Sequence, residues 1–138
     1  MSINYTQATL CYPIQNNQVL LEKKQKKLGA GFLNGFGGKA EPGDVDIFYT
    51  NARETEEEIG IKIKTAKKMG EIAFNNPSDD NELKNMMVHI FVATEWTGLP
   101  KDTDEMKKIK WYEIANLDYD KFLPADSLFF PQILNGIC

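Results

Sequence analysis

The sequence predicts one α/β domain in which a mixed β-sheet lies between helices. Apolar stretches typical of strands occur before and after a helical segment, and a second helical segment closes the chain. The 138 residues, 42% of them apolar, are enough to form one hydrophobic core. We therefore expect residues 1–138 to form a single domain.

The first predicted element is a hairpin, because apolar runs at 5–14 and 18–22 flank the turn Asn16-Asn17. A glycine-rich loop follows, and residues 46–59 have the periodicity of a helix. Polar loops separate the remaining predicted elements, which are strands at 61–74, 86–94 and 108–112 and a closing helix at 127–134.

The segment 46–59 carries the strongest chemical signal of the chain. As a helix it would pack on the sheet through one narrow stripe, formed by Phe48, Ala52, Thr55 and Ile59. Away from that stripe, three carboxylates converge on one patch: Glu54, Glu57 and Glu58. An acidic run is usually a solvated helix face, but clustered carboxylates also suit Mg²⁺ or Mn²⁺. The pattern therefore indicates either a solvated face or a divalent-metal site.

The same region, residues 38–61, resembles the signature motif of the nudix hydrolases. The second half of that motif is matched by Arg53, Glu54, Glu57, Glu58, Gly60 and Ile61. The first half departs from it, because Asp44 replaces a glutamate and eight residues instead of seven separate Asp44 from Arg53. The resemblance implies a nudix-type α/β/α sandwich with a loop–helix–loop signature, and a salt bridge between Asp44 and Arg53.

The resemblance also implies a hydrolase that uses Mg²⁺, or alternatively Mn²⁺, to cleave a nucleoside diphosphate linkage. Its implied metal ligands are the three clustered glutamates, the backbone carbonyl of Gly38 and an acid on a late loop, Glu105. Glu58 is the expected general base, with Glu105 and Glu54 as alternatives. The structural alternative for Glu105 is an ordinary loop acid.

A closer resemblance, to the MutT-type oxidised-purine nucleoside triphosphatases, covers nearly the whole chain. It is carried by LGAGFLNGFGGK at 28–39, MVHIF at 87–91, DEM at 104–106 and PADS at 124–127. The implied substrate is a purine (deoxy)nucleoside triphosphate, including oxidised forms such as 8-oxo-dGTP. The implied products are the monophosphate and pyrophosphate.

In that group an amide and a carboxylate hydrogen-bond the purine edge, and Asn34 and Asp126 match those positions. Both residue types suit a guanine-like base, although Asp126 would also serve as a helix N-cap. Further candidate substrate contacts are two lysines and four apolar residues: Lys24, Lys39, Leu33, Phe74, Met86 and Leu123. Solvated lysines and plain core packing are the alternative interpretations.

Three departures predict weaker discrimination among bases. Leu33 and Leu123 stand where relatives carry tryptophan, and Ala125 replaces the first aspartate of a pair. Each buried hydrogen bond contributes about 1 kcal/mol, so a pocket with one carboxylate should select less sharply. Two alternatives therefore remain: a nudix hydrolase of another nucleoside diphosphate derivative (a nucleotide sugar, a dinucleoside polyphosphate or an RNA 5′ end), and a nucleotide sensor without hydrolysis. The intact glutamates argue against the sensor.

Composition limits the other classes of function. A net charge of −4 argues against a stable nucleic-acid partner. The chain lacks a run of about 18 apolar residues and a signal-like N-terminus, so we expect a cytoplasmic protein without membrane contact.

Cys11 and Cys138 are not expected to form a disulfide, and His89, the only histidine, is expected to be a hydrogen-bonded structural residue. The oligomeric state stays open.

Overall fold

The computed structural model describes residues 5–24, 33–75, 85–101 and 107–117. Within these ranges lie six strands and one α-helix: β1 (Thr6–Gln15), β2 (Gln18–Lys24), β3 (Leu33–Asn34), α1 (Ile47–Ile59), β4 (Lys62–Asn75), β5 (Asn85–Thr97) and β6 (Lys107–Glu113). A single 3-10 turn, Ile114–Asn116, follows β6. The predicted α/β class is confirmed, and the predicted closing helix lies outside the described residues.

The predicted hairpin is formed by β1 and β2. Ile14 pairs with Val19 just before the turn. Asn16 and Asn17 have φ values of 50° and 62°, in the left-handed region that asparagine tolerates better than most residues. Two successive positive φ angles are what a type I′ turn requires, and its twist matches that of the flanking strands.

The sheet is mixed, with the order β3-β2-β1-β5-β4, and β6 pairs with β2. β1 and β5 are parallel, with Thr6 opposite Met86 and Pro13 opposite Ala93, while the other strand pairs are antiparallel. β1 and β2 pair only next to their turn. The glycine-rich segment pairs with β2 through β3 and then crosses to β1, where Phe36 bridges to Cys11.

Hydrophobic side chains cover both faces of this sheet. One buried cluster consists of Tyr12, Val19, Leu21, Ile90 and Val92. The cluster on the other face includes α1 and consists of Leu20, Phe36, Ile59 and Ile61, with the stacked rings of Trp96 and Trp111 packed against it. The alternation of Val19, Leu20 and Leu21 between the two clusters is the period-two pattern of a strand buried on both faces.

The buried face of α1 differs from the predicted stripe. Thr55 and Ile59 are buried as predicted, but so are Thr50 and Asn51, whereas Phe48 is 51% exposed. Phe48 still contacts the sheet, because its ring meets that of Phe91 edge to face at 5.1 Å. The prediction counted mainly apolar spacing and therefore missed polar residues that turn inward.

Cys11 and His89 are buried titratable residues of the sheet. Cys11 is a free thiol on β1, and burial raises its pKa to about 12. His89 Nε2 lies 2.6 Å from Gln7 Oε1, so His89 is hydrogen-bonded as predicted, and burial lowers its pKa. No helix among the described residues is long and apolar enough to cross a membrane.

Candidate active site

The glycine-rich segment 35–40 runs antiparallel to β1. Phe36 donates to and accepts from the backbone of Cys11, and the carbonyl oxygen of Gly38 accepts a hydrogen bond from Thr9 N–H at 2.9 Å. In an extended segment the backbone groups of successive residues point to opposite sides. The backbone of Phe36 and the carbonyl of Gly38 therefore face β1.

The intervening residues face α1 instead. Gly37 N–H donates to Glu58 Oε2 at 3.2 Å, and the Lys39 carbonyl accepts from Arg53 Nη2 at 3.3 Å. Because the N–H and C=O of one extended residue share a side, the Gly37 carbonyl lies on the side of the Glu58 carboxylate. The glycine backbone and the acidic helix thus meet through Gly37.

The carbonyl oxygen of Gly38, the predicted ligand atom, accepts a hydrogen bond from Thr9 in the β1 ladder. The carbonyl on the side of the acids is that of Gly37, whose N–H donates to Glu58. Gly38 contributes in another way. A Cβ atom at this position would collide with Glu54 Oε2, so the missing side chain leaves room for the Glu54 carboxylate.

Arg53 is the centre of the charge network on α1. Its Nε and Nη2 donate to the two oxygens of Asp44, each at 2.9 Å, so the implied salt bridge between Asp44 and Arg53 is present. Its Nη1 donates to Glu54 Oε1 at 2.7 Å and to Glu57 Oε2 at 3.1 Å. The Arg53 guanidinium and the Glu41 amide hold the pKa of the Asp44 carboxyl well below its usual range, and Asp44 in turn raises the pKa of Arg53.

The acids of α1 are therefore close together but do not all point one way. Arg53 holds one oxygen of Glu54 and one of Glu57, while Glu58 is turned to Gly37. Within the described ranges no three acidic, histidine or cysteine side chains already surround a common metal position. The donor set still fits a hard divalent cation, because it combines carboxylate oxygens with the backbone carbonyl of Gly37. The neighbouring residue, Gly38, has no side chain that would fill the site.

Strand directions bring the candidate substrate residues of the described chain to one end of the sheet. The start of β1 lies beside the start of β5, and β2, β4 and β6 are antiparallel to their neighbours there. Four of the predicted residues occupy that end, at strand positions Lys24, Leu33, Phe74 and Met86. Asn34 follows Leu33 on β3, opposite Glu22, and Lys39 is exposed. The other predicted residues, Glu105, Leu123 and Asp126, lie outside the described residues.

Two residues of this site were missed by the sequence analysis. Gly37 could have been found, because the backbone N–H and C=O groups of adjacent residues in an extended segment point to opposite sides. Only one of the two adjacent glycines can therefore direct these groups at the helix. Thr50, whose hydroxyl donates to Asp44 Oδ2 at 2.8 Å, has no sequence signal, since a threonine in the first turn of a helix is unremarkable.

Comparisons with known proteins agree with the fold. The NUDIX domain model matches residues 4–133. The chain is 37% identical over 126 residues to the oxidized purine nucleoside triphosphate hydrolases of Danio rerio and Mus musculus, covering 91% of this chain and 78% of each relative. The solved MutT protein from Bacillus halodurans superposes with a TM-score of 0.77 at 27% identity, covering 94% of this chain and 82% of that one. The chain therefore belongs to the nudix domain family and is a nudix hydrolase of pyrophosphate linkages.

Proposed function

We propose that the protein is a Mg²⁺-dependent nucleoside triphosphate pyrophosphohydrolase, with Mn²⁺ as an alternative cofactor. Its proposed substrates are purine (deoxy)nucleoside triphosphates, including oxidised forms such as 8-oxo-dGTP, and its products are the monophosphate and pyrophosphate. The observation that carries the proposal is the position of the α1 acids against the backbone of Gly37 and Gly38. The 37% identity to two oxidized purine nucleoside triphosphate hydrolases supports the substrate class.

The proposed metal ligands are Glu54, Glu57, Glu58 and the carbonyl of Gly37, with Glu105 added from the family resemblance. Hard divalent cations prefer such oxygen ligands. A bound Mg²⁺ would neutralise phosphate charge and orient the attacking water. Arg53 already fixes one oxygen of Glu54 and one of Glu57, so the other oxygen of each carboxylate is left for the cation.

Glu58 is the proposed general base, with Glu54 and Glu105 as alternatives. Its carboxylate is half-buried, and the N–H of Gly37 donates to one of its oxygens. That hydrogen bond holds the carboxylate next to the glycine backbone, where it would accept the proton of the attacking water. Protein groups fixed before the reaction lose little entropy when it occurs.

Substrate recognition is proposed for the end of the sheet at which β1 begins. Lys24 and Lys39 would contact phosphate oxygens, and Asn34 and Asp126 would read the purine edge. The base would be lined by apolar residues, namely Leu33, Phe74, Met86 and Leu123. Because these include no tryptophan, we expect the enzyme to accept several purine bases.

The test measures pyrophosphate and monophosphate release with Mg²⁺ from the common NTPs and dNTPs, 8-oxo-dGTP, nucleotide sugars and dinucleoside polyphosphates. We expect purine triphosphates to be cleaved and Glu57→Gln and Glu58→Gln to lower turnover about 100-fold or more, because each removes a charged ligand or base. Both variants should fold normally, since neither side chain is in the hydrophobic core. The control is Glu56→Gln, an exposed neighbour with no assigned role.

Near-normal turnover in both variants would contradict the assigned chemistry. Cleavage confined to nucleotide sugars or dinucleoside polyphosphates would retain the chemistry and contradict the proposed substrate class.

A further inference from the structure

We propose that the buried hydroxyl of Thr50, acting through Asp44 and Arg53, is a positioning group for the metal-binding carboxylates of Glu54 and Glu57. The inference rests on the proposed function, because that function assigns the two glutamates to the metal. It concerns a residue outside the nudix signature positions, so the motif gives no reason to expect it.

Thr50 lies inside the protein with its hydroxyl against Asp44. Its side chain lies in the first turn of α1 and is fully buried. Its Oγ1 is 2.8 Å from Asp44 Oδ2 and 3.3 Å from the carbonyl oxygen of Asp46. A threonine hydroxyl has a single proton to donate, and the shorter, charge-assisted contact to the carboxylate is the stronger one.

Asp44 accepts hydrogen bonds on both of its carboxylate oxygens. Its Oδ2 accepts from the Glu41 N–H at 2.9 Å, from the Thr50 hydroxyl and from Arg53 Nη2, while its Oδ1 accepts from Arg53 Nε. The Asp44 side chain is only 5% exposed. The Asp44 carboxylate accepts from the Glu41 N–H of its own turn and from Thr50 and Arg53 of α1, so it has little freedom to rotate. It therefore fixes the plane of the guanidinium that it binds through two contacts.

Arg53 links Asp44 to the acids of α1. With Nε and Nη2 taken by Asp44, Nη1 is the atom that contacts Glu54 and Glu57. The orientation of one oxygen on each glutamate thus depends on how firmly the other side of the guanidinium is held. A continuous series of side-chain contacts runs from Thr50 to the two proposed ligands.

This chain has a particular need for such a donor. Asp44 is one methylene shorter than the glutamate of the motif, and one additional residue separates it from Arg53. Asp44 sits in a turn closed by its own N–H to the Glu41 carbonyl at 2.9 Å. Thr50 ties that turn to the helix, so the shorter acid is held close enough to engage Arg53 with both oxygens.

The experiment measures Mn²⁺ binding to the purified protein without nucleotide, from the electron paramagnetic resonance signal of free Mn²⁺, in wild type, Thr50→Val, Thr50→Ser and Thr55→Val. Thr55 is the matched control, because it is equally buried on the same helix and its hydroxyl donates to the Asn51 carbonyl at 2.7 Å, away from Asp44. Thermal unfolding of the metal-free proteins is recorded in parallel.

We expect Thr50→Val to weaken Mn²⁺ binding about threefold to tenfold, somewhat below the loss caused by removing groups that contact metal ligands directly. Thr50→Ser keeps the hydroxyl and should bind Mn²⁺ as wild type does. Thr55→Val should lose thermal stability but retain Mn²⁺ affinity. If Thr50→Val does not fold, Thr50→Ser is compared with Asp44→Asn, which keeps the shape of the carboxylate and should weaken Mn²⁺ binding.

Two outcomes overturn the inference, and they differ in what else they affect. Wild-type Mn²⁺ affinity in folded Thr50→Val or Asp44→Asn, with or without reduced thermal stability, would make Thr50 a purely structural residue and leave the proposed function standing. Failure of the wild-type protein to bind Mn²⁺ would contradict the proposed metal site, and with it both the proposed function and this inference.

Discussion

Gly38 and Arg53 together decide where the carboxylates of α1 can lie. Gly38 has no side chain, so the Glu54 carboxylate can pack against the glycine backbone. Arg53 faces the same carboxylate from the other side, and its own side chain is only 16% exposed. Glu54 is therefore confined between a backbone that excludes a Cβ and a guanidinium that is itself held by Asp44.

Gly38→Ala tests this confinement. The added methyl group would displace the Glu54 carboxylate, which is the end of a flexible side chain, so the fold should survive. We expect activity to fall about 100-fold, as small misplacements of catalytic groups do, while the melting temperature changes little. Gly43→Ala is the control, because a Cβ there meets no atom within 4 Å. Equal pyrophosphate release from the two variants would show that Glu54 does not need this space.

At the scale of the element, α1 is defined by its two caps. Asp46 is extended, and its Oδ1 accepts a hydrogen bond from Tyr49 N–H at 2.8 Å. At the other end Gly60 has φ 78°, and its N–H bonds to the Glu56 carbonyl at 2.8 Å. The caps fix the start and the end of the helix, so they also fix which of its residues face the glycine segment.

Asp46→Ala removes the N-cap acceptor. We expect the free energy of unfolding to fall by about 1 kcal/mol, which corresponds to roughly 3–5 °C in melting temperature for a domain of this size. Asp46→Ser, which can still accept from the helix N–H groups, should retain most of the stability. Calorimetry or circular dichroism would measure both changes. An unchanged melting temperature in Asp46→Ala would mean that other contacts hold the first turn.

At the scale of the whole molecule, strand β1 connects the packing of the protein with its chemistry. β1 lies at the centre of the sheet order and pairs with β5 along one edge, while its other edge receives the glycine segment. Cys11 on β1 bridges to Phe36 and is completely buried. The same strand therefore supports the hydrophobic core and the backbone that faces the acids.

The burial of Cys11 has a measurable consequence. Burial raises the pKa of this thiol to about 12, so little of the reactive thiolate would form at pH 8 even if reagent reached it. We expect Cys11 to resist iodoacetamide in the native protein and to react fully in guanidinium chloride. Peptide mass spectrometry distinguishes it from Cys138. Labelling of native Cys11 at the denatured rate would show that the core around β1 opens readily.

The sequence by itself determined the elements and the chemical class of this protein. The turn at Asn16-Asn17, the helix predicted at 46–59 and the identity of the three glutamates follow from local periodicity, turn chemistry and a motif of neighbouring residues. These features need no knowledge of what packs against them. The turn and the helix are confirmed, and the metal role of the glutamates stays a prediction.

Only the tertiary structure decided the details of the site. The backbone groups of the glycine segment alternate in direction, so that Gly37 N–H faces Glu58 and the Gly38 carbonyl faces Thr9. Which of the two glycines faces the helix depends on how the segment pairs with β1, and that pairing joins residues distant in sequence. The hydroxyl of Thr50 likewise has its partner in Asp44, which lies in a separate turn. A motif specifies which residue types are present, but the direction of each donor and acceptor depends on the partners that the fold brings to it.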